Sequence, residues 1–181
     1  MNKVKQSIMM FVCGMSDSLS LHWVKKILFA VHPIASKQAA SKPAADYTIW
    51  CSWETGLAVD IDQWLRLPNG TSIAYNRKDI GYATLERDDL GVIAANGKVN
   101  LEITSLREPP DGEYGLSIHT YSTAQPISGN ITVEITNSTG IIVFSRVVPM
   151  PANGRQQGIA VFSIINGQIE GARNTELTFR G

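Results

Sequence analysis

From Tyr47 to the C-terminus, apolar and polar residues alternate with a period of two. Tyr47, Ile49, Cys51 and Trp53 alternate with Thr48, Trp50 and Ser52, and the run is rich in the β-branched and aromatic side chains that suit a pleated surface. Val59 to Leu67 follows, with Val59, Ile61, Gln63, Leu65 and Leu67 on one side and Asp60, Asp62, Trp64 and Arg66 on the other. Pro68 presets one dihedral and Asn69-Gly70 accept positive φ, so the chain is expected to reverse into a strand over 71–75. Val99 to Leu106 alternates Leu101 and Ile103 with Glu102 and Thr104, and Pro109-Pro110-Asp111-Gly112 turns the chain into a strand over 113–121. Further strands are expected over 131–136, 141–148, 156–165, 168–169 and 175–179. Asn137 to Gly140 and Asn166-Gly167 supply the hairpin loops. No window of twelve residues past position 46 carries a helical stripe. Many short strands separated by turn signals predict an all-β chain, an antiparallel β-sandwich of jelly-roll-like form over 46–181.

The first 45 residues read differently. Two short apolar stretches, Ser7 to Met15 and Ile27 to Ala35, each follow lysines, the second with Trp23 at its head and His32-Pro33 inside it. Residues 1–35 are therefore expected to form a short, basic, helical segment. It would serve either as a membrane anchor or as a helix packed on a partner protein. Residues 36–45, SKQAASKPAA, form a linker of small residues, lysine and proline that cannot bury a core.

Composition sharpens this division. The 181 residues include 44% hydrophobic and 18% charged residues, too apolar for disorder. The 16 basic and 16 acidic residues cancel, which argues against a surface built for nucleic acid. The cancellation is uneven: six lysines against Asp17 give +5 over residues 1–45, and ten basic against 15 acidic residues give −5 over the remainder. Cys13 and Cys51 fall on opposite sides of this break, and two unpaired thiols are expected.

Candidate chemistry is sparse. His22 and His32 lie in the N-terminal segment, which leaves His119 alone in the body as a hydrogen-bonded strand histidine. No Gly-x-Ser-x-Gly, His-Glu-x-x-His, phosphate-binding glycine loop or Cys-x-x-Cys is present, so no enzyme is expected. The acidic residues stand out. Asp60 and Asp62 are two apart on one strand, and Asp88-Asp89 lie in the segment LERDDLG. Together with loop carbonyls, these four aspartates offer the hard oxygens that calcium takes six to eight of. Arg66, Arg77 and Arg87 are near enough in sequence to make the same aspartates plain ion pairs. No other cofactor is indicated. Trp50, Trp53, Trp64, Tyr75 and Tyr82 would form a sugar-stacking platform if exposed and core if buried; Trp50 and Trp53 face opposite ways on one strand, which favours core.

The strings DIDQWL at Asp60 to Leu65, LPNG at Leu67 to Gly70, YNR at Tyr75 to Arg77, LERDDLG at Leu85 to Gly91, PDGEY at Pro110 to Tyr114 and HTY at His119 to Tyr121 resemble a family encoded by tailed phages and some bacteria. Its members carry a short N-terminal membrane segment ahead of a domain similar to the bacterial pre-peptidase C-terminal sandwich. The likeness covers Tyr47 to Tyr121, and the chain departs from it in Gln63, where the family has an apolar residue, and in a shorter N-terminal segment. The resemblance implies a β-sandwich in which an Asp-x-Asp strand lies near a calcium site. It also implies a place in the virion or the host-cell envelope. The expected function is a non-enzymatic structural or binding module, phage-encoded and attached through residues 1–35 to a protein assembly or a membrane, with oligomerisation allowed and nucleic acid excluded. The alternative is a calcium-dependent carbohydrate-binding or adhesion domain.

Overall fold

A computed structural model describes residues 42–91, 99–123 and 128–179. The expectations for residues 1–35, for most of the 36–45 linker and for Cys13 lie outside the described residues. The chain divides into two compact units, Met1–Lys42 and Pro43–Gly181. Among the described residues the second unit holds ten strands: β1 Tyr47–Trp53, β2 Val59–Arg66, β3 Ser72–Ile73, β4 Ala83–Arg87, β5 Asn100–Leu106, β6 Gly112–Thr123, β7 Asn130–Asn137, β8 Ile142–Pro149, β9 Gln156–Ile165 and β10 Gln168–Asn174. No helix among the described residues is long and apolar enough to cross a membrane.

The strands form two five-stranded antiparallel sheets packed as a sandwich, one in the order β4-β5-β1-β7-β8 and the other β10-β9-β6-β2-β3. Alternation puts Ile49, Cys51, Ile131, Val133 and Ile135 of the first sheet against Ile61, Leu65, Leu116, Ile118, Ile159 and Phe162 of the second. Tyr114 and Phe162 stack across the β6–β9 pair with ring centroids 5.3 Å apart. The Tyr114 hydroxyl escapes an apolar grave by donating to the Pro110 carbonyl at 2.7 Å. Cys51 is a free, buried thiol.

The turns behave as their residues require. Gly70 (φ 82°) closes the β2–β3 reversal, its N–H donating to the Leu67 carbonyl. Asn166 (φ 50°) and Gly167 (φ 75°) form the two-residue β9–β10 hairpin, whose N–H groups donate to the Asp111 carboxylate.

Three expectations are corrected. The strand expected over 71–75 shrinks to Ser72–Ile73. Ala83–Arg87 is an edge strand where none was expected, and its last three residues overlap the acidic segment read over Leu85 to Gly91. Residues 175–179 are not a strand. They lie against the second sheet, where the Leu177 carbonyl meets the backbone of Gly158 and the Phe179 ring covers Gly115. The Phe179 N–H donates to Ser117 Oγ, and Ser72 Oγ donates to the Phe179 carbonyl. Glycines at 115 and 158 are what allow this close approach: a side chain at either place would occupy the space of the segment above it.

Candidate functional site

The edge where β2 and β3 of one sheet lie beside β4 and β5 of the other is the polar end of the sandwich. Its cause is a break in the usual pattern of β5. Asn100, Glu102, Thr104 and Leu106 face inward opposite Trp53, Cys51, Ile49 and Tyr47, while Leu101 and Ile103 are only half-buried on the outer face. The inner face of β5 therefore carries three polar side chains, including a carboxyl with no exposure at all.

Acids reach this edge from three places: β2, β5 and the chain leaving β4. On β2, Asp62 lies directly across from His119 of β6, and His119 Nδ1 is 3.1 Å from Asp62 Oδ2. A bulge between Asp60 and Ile61 passes over Tyr121 on β6, leaving that ring 56% exposed above the strand. β3 pairs only Leu65 and Arg66, so β2 is uncovered from Asp60 to Gln63, and there the Gln63 N–H donates to Glu102 Oε2 at 2.5 Å. On the first sheet, the β4–β5 register sets Arg87 opposite Ile103, which brings the next residue, Asp88, alongside Glu102. The chain then crosses to β2 through Gly91 (φ 64°), whose Cα sits directly on the Val59–Asp60 backbone.

The result is a cluster in which one carboxylate oxygen each from Asp62, Asp88 and Glu102 lies within 4.8 Å of the others. Asp60, Asp62 and Asp88 line a cavity of about 170 Å³ that Tyr75, Leu90 and Tyr121 complete. Tyr75 packs edge-on against Trp64 at 5.8 Å and lies 6.1 Å from Tyr121, so the mouth has an aromatic rim. A smaller cavity of about 110 Å³, lined by Trp64, Ser72, Asn76 and Arg77, lies on the same face of the β2–β3 edge.

Electrostatics follow from this crowding. Burial, then the charges of Asp62, Asp88 and Asp89, push the Asp60 carboxyl from 3.8 to about 6, and His119 pulls the other way. Burial pushes Glu102 well above the ordinary carboxylate range, opposed by the Gln63 N–H and reinforced by Asp62 and Asp88. Burial, with Glu102 adding to it, also raises the Cys51 thiol, so this cysteine is not a ready nucleophile. Lys78 Nζ sits 2.7 Å from Asp88 Oδ2, and that contact raises the lysine pKa.

Of the four aspartates singled out in the sequence, Asp60, Asp62 and Asp88 come together. Asp89 is engaged elsewhere: fully buried, it receives Arg87 Nη2 at 3.4 Å and the N–H groups of Gly91 and Leu101. Arg66 goes to Glu113 rather than to the aspartates. His119 is the hydrogen-bonded strand histidine that was expected, with Asp62 as its partner. Trp53 and Trp64 are buried and Trp50 half-buried, with its indole N–H on Thr136 Oγ1, so no tryptophan platform forms. Glu102 was missed. The alternation of Asn100, Glu102 and Thr104 put them on one face, but period two does not say which face is inside.

The fold and this edge define a two-sheet sandwich with a cross-sheet carboxyl cluster. Comparison with protein-family models, with curated proteins and with solved structures finds no match to the chain.

Proposed function

We propose that the chain is a non-enzymatic structural or binding module, a β-sandwich held through its basic N-terminal segment to an anionic membrane surface or a protein assembly. The observation that carries this reading is the coincidence of the structural and electrostatic divisions. The compact unit Pro43–Gly181 begins where the charge changes sign, with six lysines against Asp17 before it and ten basic against 15 acidic residues within it. A soluble acidic body has no physical need of a +5, apolar leader of this kind; an attachment segment does, since each lysine near an anionic surface contributes about 1 kcal/mol. The resemblance to the phage family with a membrane segment and a pre-peptidase C-terminal-like sandwich agrees with this reading. It implies the jelly-roll-like form and a place in the virion or host envelope.

Co-sedimentation with vesicles containing anionic lipid tests the reading. The full chain is expected to bind at low salt and to release as salt is raised, while Pro43–Gly181 stays in the supernatant at every salt concentration. Equal behaviour of the two forms, both with these vesicles and in cross-linking to phage particles, would dispose of the attachment idea.

A second reading has its own observation. The cavity lined by Asp60, Asp62 and Asp88 carries the exposed rings of Tyr75 and Tyr121 at its mouth, the donor set and stacking surface of a calcium-dependent carbohydrate-binding or adhesion domain.

A further inference from the structure

The geometry points to a divalent-cation site, calcium by its donor set, held by Asp62, Asp88 and Glu102 and bridging the two sheets. It does not depend on the attachment reading, and the carbohydrate reading depends on it.

Two independent observations carry it. The first is position: the three ligand oxygens lie within 4.8 Å of one another. Three oxygens each about 2.4 Å from one calcium ion stand at most about 4.2 Å apart, so from the 4.8 Å limit the carboxylates need close by no more than about 0.6 Å, a side-chain adjustment. The second is an unmet need. Glu102 has no exposure; its Oε2 takes the Gln63 N–H, whereas its Oε1 meets no N–H or hydroxyl donor. Asp88 Oδ1 is likewise buried away from any such donor, and the contact between the two carboxyls is a hydrogen bond only while they share a proton. A buried carboxylate oxygen facing other carboxylates is costly, and a bound cation turns that cost into attraction.

Each ligand is already aimed by a second contact, as supporting groups orient metal ligands elsewhere. His119 holds Asp62 Oδ2, Lys78 holds Asp88 Oδ2 and the Gln63 N–H holds Glu102 Oε2. Lys78 is half-exposed and retains its charge beside the site, which weakens the ion, but it contacts Asp88 Oδ2 and leaves Oδ1 without a donor. All donors are oxygens, which selects hard cations over zinc or copper. Three protein carboxylates leave calcium short of its six to eight ligands, and the cavity bounded by Asp60, Tyr75 and Tyr121 is where water or the hydroxyls of a ligand complete the set.

The site also has a structural consequence. Asp62 belongs to β2, whereas Glu102 belongs to β5 and Asp88 follows β4, so the ion ties one sheet to the other at an edge where β3 is only two residues long.

The test is thermal melting of the full chain at neutral pH, with chelator and then with increasing calcium chloride, beside terbium luminescence excited through the tryptophans. Calcium at about 100 times its dissociation constant is expected to raise the melting temperature by roughly 5–10 °C, saturably, and terbium to give emission that calcium displaces. Glu102→Gln, which keeps shape and burial, is expected to abolish both responses. Asp62→Asn serves as the second variant should Glu102→Gln fail to fold. A melting temperature indifferent to calcium and chelator overturns the site, as does a response that survives unchanged in whichever variant folds.

Discussion

Glu102 and Asp60 are carboxyls whose ionisation folding alters. Without a bound cation both are harder to deprotonate in the folded chain than in the unfolded one, Asp60 shifting from 3.8 to about 6 and Glu102 moving in the same direction. The folded state therefore binds more protons in mildly acid solution. Its contribution from these groups is complete below the unfolded carboxylate range and is lost as pH rises through about 6 for Asp60 and through the raised range of Glu102. In chelator the protein is thus expected to melt at a higher temperature at about pH 5 than at about pH 7, and the slope should flatten in a variant carrying Asp60→Asn and Glu102→Gln. Calorimetric scans across that range check it; an unchanged slope in the variant would mean that other groups set the trend. Gly91 makes a second residue-scale case. At φ 64° a side chain is already strained, and a Cβ there would lie 2.5 Å from both the Asp60 nitrogen and the Val59 carbonyl carbon. Gly91→Ala is expected to cost about 2 kcal/mol or more and to blunt the calcium response, because the Asp88 loop must lift off β2 to admit the methyl group. Chemical denaturation with and without calcium measures both effects.

At the scale of elements, the C-terminal segment 175–179 shows how a strand-like sequence becomes something else. Its apolar residues Leu177 and Phe179 alternate correctly, but the segment packs over Gly158 of β9 and Gly115 of β6 instead of pairing at an edge of the second sheet. Phe179 is the anchor, buried over Gly115, with the Arg66 guanidinium 4.8 Å from its ring centroid. Arg146 of β8 clasps the start of the segment, its Nη1 donating to the carbonyls of Gly158, Ile159 and Thr175 and its Nη2 to Glu176. Phe179→Ala is expected to lower stability by about 3 kcal/mol, whereas Leu177→Ala, at an exposed position, stays within about 0.5 kcal/mol of the parent. Denaturation midpoints compare the two; equal losses would show that the segment is held by backbone contacts rather than by the Phe179 ring. The turns, in contrast, were legible because their chemistry is local: Asn166-Gly167 and Pro68-Asn69-Gly70 adopt the dihedrals that their residue types favour without help from the rest of the chain. β4 was not legible, since Ala83–Arg87 is short, carries Glu86 and Arg87, and is held as a strand by its pairing with β5.

For the whole molecule, the division at Lys42 and Pro43 has a consequence for stability as well as for attachment. The described core of the sandwich is drawn from Tyr47 onward, so removal of the first 42 residues is expected to leave its melting transition within a few degrees of the full chain while abolishing salt-sensitive vesicle binding. Composition, the period-two alternation and the turn residues by themselves determined an all-β body, its start near residue 46, most of its strands and the inward set Ile49, Ile61, Leu65, Ile131 and Ile135, because alternation and turn propensity act between near neighbours. Only the tertiary structure decided which face of β5 is inside, that Asp89 turns away to Arg87 while Glu102 joins Asp62 and Asp88, and that residues 175–179 cover a sheet. Those outcomes depend on how two sheets stack at one edge. A one-residue change of parity there would put Leu101 and Ile103 in the core and Glu102 in water, and nothing local in the chain distinguishes the two.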